Sequence, residues 1–158
     1  MGDPKRFRKK YTTLRHPWVE EIIRDELRLV GEYGLRNKKE LRSVQWTLRQ
    51  IRRSARLYQG LSGAERSKNE RELLLKLYKL SLVDKESSLD DVLSLTASNL
   101  LDRRLQTIVL RKGFAGTMHQ ARQLIVHKKV LLDGRSISVP GYLVKRKDEA
   151  AISVQATS

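Results

Sequence analysis

The chain has 158 residues, enough for one medium domain or two small ones. It carries 33 Lys and Arg against 18 Asp and Glu, a formal charge of +15, with 39% apolar residues and no cysteine. That composition excludes disulfides and thiolate metal sites and fits a cytoplasmic protein. No apolar run approaches the roughly 20 residues that span a bilayer, and the amino terminus lacks the apolar stretch of a secretory signal. Gly2 is a poor myristoylation site because Arg6 stands where Ser or Thr is required. A charge this large repels itself unless a polyanion neutralises it, and nucleic acid is the polyanion that remains.

The charge is unevenly spread: residues 1–80 hold 21 basic and 10 acidic side chains, residues 81–158 hold 12 and 8. Residues 1–15 read as a basic arm, with Lys5, Arg6, Arg8, Lys9, Lys10 and Arg15 opposed only by Asp3. Arms of this composition order on a nucleic-acid partner. Pro17 suits the first position of a helix, Glu20 and Glu21 its positive end, and Gly31 its C-cap. Val19, Ile22, Ile23, Leu27 and Val30 supply its apolar stripe, and Trp18 is expected to pack at its start. A break follows at residues 34–38.

Residues 39–58 predict a second helix. At about 100° per residue, Val44, Leu48, Ile51, Ala55 and Tyr58 share one face. Arg42, Arg49, Arg53 and Arg56 share the opposite one, within an arc of roughly 60°. Like charges three and four apart repel, and no acidic residue lies between Glu40 and Glu65 to relieve them. A solvated face would mix signs, so this stripe is read as a phosphate-binding surface. Residues 64–82 predict a third helix with Leu73, Leu74, Leu77 and Leu80 inward. After a loop at 84–88, Ser88 with Asp91 outlines a capping box for another helical stretch.

From residue 100 the pattern changes. Leu101, Leu105, Ile108 and Val109 predict one short helix ending at Gly113, with Arg104 and Arg111 on one face. Thr117 caps a second, with Ala121, Leu124 and Ile125 inward. Val130–Leu132 reads as a strand, Asp133-Gly134 as a primed hairpin turn and residues 136–139 as the return. Residues 142–144 and 151–154 offer further strands around the basic loop 145–147. Residues 103–129 contain seven Lys or Arg and no acid, so Arg103, Arg104, Arg111, Lys112, Arg122, Lys128 and Lys129, with His127, form a second candidate nucleic-acid surface. The fold class is α+β: a basic arm (1–15), a helical body (16–100), a small module of two helices and antiparallel sheet (101–154), and a tail (155–158).

No residues are arranged for catalysis. The three histidines, His16, His119 and His127, lie in separate contexts without metal-ligand spacing. No glycine-rich phosphate loop or nucleophile elbow is present. No catalytic residue, metal or cofactor is therefore expected. Nine aromatic residues supply a stacking platform poorly, which favours folded RNA read through phosphates and shape.

The runs Leu101-Asp102-Arg103-Arg104-Leu105-Gln106-Thr107, Lys112-Gly113-Phe114 and His119–His127, with Asp133-Gly134-Arg135 and Val139–Val144, resemble small-subunit ribosomal protein four. Gly2–Arg6, Arg15-His16-Pro17-Trp18 and Tyr33–Leu41 resemble the archaeal branch of that family, so the resemblance spans nearly the whole chain. It implies a non-enzymatic structural constituent of the small subunit that binds its rRNA early and nucleates assembly of the 5′ domain. It further implies a position near where mRNA enters, beside ribosomal protein five of the same subunit. On this resemblance Arg103, Arg104, Arg122, His127 and Lys128 face RNA. The chain departs from the family at Lys128-Lys129, where glycine is common; a lysine suits that position if positive φ is not required. It also lacks the cysteine zinc site of some members. The same module occurs in RNA-modifying enzymes and a synthetase appendage, but residues 1–100 supply no catalytic site. A nucleolar-type assembly factor of the same plan and a helix-turn-helix DNA binder at residues 103–127 are the remaining alternatives.

Overall fold

A computed structural model describes residue 2 and residues 9–155. The architecture is α+β, with seven helices and a three-stranded antiparallel sheet among the described residues. The helices are α1 (Glu20–Glu32), α2 (Lys38–Gln59), α3 (Gly63–Lys79), α4 (Leu89–Ser94), α5 (Ala97–Asp102), α6 (Leu105–Arg111) and α7 (Met118–Val126). The strands are β1 (Val130–Leu132), β2 (Arg135–Ser136) and β3 (Ile152–Val154), ordered β2-β1-β3.

Helix α2 is the hub, packing against α1, α3, α4 and α5. Its apolar face behaves as its spacing requires: Leu48 and Ala55 are buried, and Val44, Ile51 and Tyr58 pack beside them with Leu77, Leu82, Val83, Leu89, Val92, Leu95 and Leu100. A smaller cluster of Leu35, Leu41 and Leu101 joins α1 to α2 and α5. A separate core holds Leu105, Ile108, Val109, Ala121, Ile125, Val130, Val144 and Ile152. The sheet closes this last core: Val130 faces Val154, and Leu132 faces Ile152.

Local chemistry sets several boundaries as read. Asn37 caps α2, accepting a hydrogen bond from the Glu40 amide at 3.1 Å. Ser88 and Asp91 form the capping box of α4, and Thr117 caps α7 by accepting from the Gln120 amide. Asp133 and Gly134 both have positive φ, 50° and 75°, which makes the hairpin turn type I′.

Other boundaries differ from expectation. Helix α1 starts at Glu20 rather than at Pro17, and Trp18 is 83% exposed rather than packed. Gly31 lies inside α1, and the helix stops instead through Gly34 (φ 52°). There the Gly34 amide donates to the Gly31 carbonyl and the Leu35 amide to the Val30 carbonyl, a Schellman ending. Gly34 is required twice over, because a Cβ there would lie 2.7 Å from Met118 Cβ, whereas nothing surrounds Gly31.

The single helix expected from Leu101 is two, broken at Arg103-Arg104. Arg104 is extended and bridges to Leu143; the Leu105 amide donates to the Tyr142 carbonyl (2.8 Å), and the Val144 amide to the Arg103 carbonyl (3.0 Å). The segment 142–144 therefore makes a single bridge to Arg104 rather than a strand of the sheet, and the return strand after the hairpin ends at Ser136. Tertiary hydrogen bonds, invisible in local spacing, draw the chain out of the helix at this point.

Candidate nucleic-acid interface

The α2 stripe divides along its length. Arg42 is turned toward α1, where Glu26, itself 3% exposed, lies 3.5 Å from Arg42 Nε and 3.1 Å from Lys38 Nζ. Arg49, Arg53 and Arg56 are exposed and form no ion pair among the described residues. Beside them runs the end of the basic arm: Arg49 donates to Thr12 Oγ1 at 3.2 Å, and Lys39 Nζ sits 5.3 Å from the centroid of the Tyr11 ring. Lys9 and Lys10 are exposed. Lys5, Arg6 and Arg8 lie outside the described residues.

The second candidate surface is much reduced. Residues 103–129 contain no acid, but the fold brings acids to them from elsewhere. Arg104, 3% exposed, donates to Glu40 of α2 at 2.9 Å, and Arg122 of α7 donates to the same carboxylate at 2.7 Å. Arg103 pairs with Glu149 at 2.8 Å, Arg111 with Asp102 at 2.5 Å, and Lys112 Nζ donates to the Glu149 carbonyl. Arg104 and Arg111 therefore do not share an outward face. Arg104 is buried outside the helix, where its charge links module to body. Of the lysines and arginines in this region, Lys112, whose partner is a backbone carbonyl, and Lys128 and Lys129, beside His127 at the end of α7, form no ion pair among the described residues.

Glu40 is the electrostatic centre of the junction. Burial pushes its carboxyl up, but hydrogen bonds from Arg122 and Arg104 and the charge of both guanidiniums outweigh this and hold it below the ordinary carboxylate range. Close by, the fully buried Gln106 amide donates to the Gly34 carbonyl (3.1 Å) and the Met118 carbonyl (2.9 Å), tying the end of α1 to the start of α7. Tyr33 donates to Asp102 at 3.0 Å; burial and that hydrogen bond both raise its phenol. No local pattern points to Glu40 or Gln106, since their partners lie 12 to 82 residues away, most of them 64 or more.

Helix α7 also ends in a Schellman motif. The Lys128 amide donates to the Ile125 carbonyl and the Lys129 amide to the Leu124 carbonyl, with Lys128 at φ 60°. The backbone thus does require positive φ here, contrary to the expectation for a lysine. The side chain at this tight, normally glycine-filled position is exposed.

Residues 103–149 match the family model described as the S4 domain. The whole chain is 48% identical to the small ribosomal subunit protein uS4 of Ignicoccus hospitalis, aligned over 95% of that protein. It is also 48% identical to the uS4 of Hyperthermus butylicus and 46% identical to that of Sulfolobus acidocaldarius, covering 90% of each. With such identity along its full length, the chain belongs to the family of small ribosomal subunit protein uS4.

Proposed function

We propose that this chain holds small-subunit rRNA by neutralising phosphates along the exposed arginines of α2 and at the end of α7, as a structural rather than catalytic part of the subunit. The carrying observation is the face of Arg49, Arg53 and Arg56, kept outward on a 22-residue helix without a carboxylate partner among the described residues. Three like charges one turn apart are unfavourable on a free helix and favourable against a polyanion. Lys9 and Lys10, close in sequence to Tyr11 and Thr12, extend this surface, and Lys5, Arg6 and Arg8 continue the arm. At the second surface we assign RNA contact to His127, Lys128 and Lys129. Arg111, Lys112, Arg103 and Arg122 support it from within ion pairs and backbone contacts, and Arg104 and Arg42 act as internal braces. Family resemblance supports the finer reading: early binding that nucleates the 5′ domain, a place near where mRNA enters, contact with ribosomal protein five, and residence on cytoplasmic ribosomes.

The double variant R49E/R53E tests the reading. Filter binding to small-subunit rRNA should weaken at least about tenfold, and the log–log salt slope should shrink by about two. Circular dichroism should be unchanged, because both side chains are exposed. Wild-type affinity and slope in this variant would make the stripe a solvated surface.

A further inference from the structure

The outer face of α7 carries a recess whose floor and amide walls phosphate neutralisation by Lys129 leaves unexplained. Gln120, Gln123, Leu124 and His127 fall within an arc of about 100° on this helix, and Lys129 closes the end; together they line a cavity of about 250 Å³. Leu124 packs against the module core and forms an apolar floor. The walls are two amides, an imidazole and an ammonium, with no carboxylate among them. Gln120 Oε1 accepts from the Gly116 amide at 2.8 Å, which fixes that amide and turns its NH₂ outward as a donor. Gln123 is exposed, with both halves of its amide available among the described residues.

A phosphate takes the NH₂ donors of amides but makes no use of an apolar floor or of an amide acceptor, whereas an unpaired base has a flat apolar face and an edge of both donors and acceptors. The geometry points to a pocket for a single unstacked RNA base. Its edge meets the Gln120 NH₂ and the Gln123 amide, its face lies on Leu124 and His127, and its 5′ or 3′ phosphate meets Lys129. The Schellman ending builds the pocket, because it folds Lys129 back over Leu124: the Lys129 amide donates to the Leu124 carbonyl at 3.0 Å. This assignment rests on the RNA-binding reading above and adds a base-reading site to a surface otherwise built for phosphates.

The test uses the full chain and two probes, a short RNA duplex and the same duplex with one bulged nucleotide, made in turn with each of the four bases. Wild type should bind at least one bulged duplex about tenfold more tightly than the paired one, and Gln123→Ala should bring that ratio to about one. In wild type, the side-chain amide resonances of Gln123 should shift with the bulged RNA and not with the paired RNA. Equal binding of paired and all bulged duplexes by wild type overturns the pocket and leaves phosphate binding standing. So does a preference that survives in Gln123→Ala. Failure to bind either RNA, with R49E/R53E indistinguishable from wild type, overturns the RNA reading itself.

Discussion

Lys128 occupies a backbone conformation that costs an L-residue about 1–2 kcal/mol relative to glycine, recovering about 0.3–1 kcal/mol from the helix C-terminal dipole. Lys128→Gly should therefore gain roughly 0.5–1 kcal/mol in urea unfolding while its RNA affinity falls and its salt slope shrinks by about one. A stability gain without loss of affinity would remove Lys128 from the interface. Gly34 has no such freedom, because any side chain there meets both the positive φ and Met118. Gly34→Ala should lose on the order of 2–4 kcal/mol, from strain plus overpacking, visible as a lower urea midpoint. Gly31→Ala, three residues earlier, is the contrasting control in open space.

At the scale of elements, what was legible in the sequence was local. The alternation of Val44, Leu48, Ile51 and Ala55, the Ser88–Asp91 box and the Asp133-Gly134 turn each act within a few residues, and spacing suffices to place them. The break at Arg103-Arg104 was not legible, because hydrogen bonds to residues about 40 positions away impose it. The exposure of Trp18 was not legible because α1 begins two residues later, at Glu20, and only tertiary packing decides which apolar residues ahead of it are covered. The acid-free stretch 103–129 overstated its surface for the same reason: Glu40 and Glu149 arrive from distant elements. Glu40 also gives the junction between α2, α6 and α7 a pH dependence. Its folded carboxyl binds a proton more weakly than the unfolded one, so its contribution is complete above the unfolded pKa of about 4.3 and fades as pH falls through the lower folded value. Glu40→Gln should cost on the order of 2 kcal/mol near pH 7, and the gap to wild type should narrow at about pH 3. Thermal unfolding at the two pH values measures this; a gap that stays constant would mean that the Arg104–Glu40–Arg122 charges contribute nothing.

At the scale of the molecule, the protein has packed cores in both body and module and exposed cations on both. A structural constituent stays with its particle, whereas an assembly factor leaves. Sucrose-gradient sedimentation in moderate salt should therefore find this chain in mature small subunits as well as in precursors. Its confinement to precursors would shift the reading toward an assembly factor of the same plan.

With RNA held at the α2 arginines and at the end of α7, as proposed above, the Gln106 and Glu40 contacts would make the protein a two-footed ligand with a stance set in advance. Gln106 bridges the Gly34 and Met118 carbonyls, and Glu40 holds Arg104 and Arg122. The distance between the α2 arginines and the end of α7 is thus established before RNA arrives. On that reading, when one foot lifts the other would keep it at a high effective concentration beside its site, favouring rebinding over escape, with little ordering entropy spent on landing. The proposed binding mode thus makes residence time on the RNA depend in part on two side chains, Glu40 and Gln106, that have no contact with it.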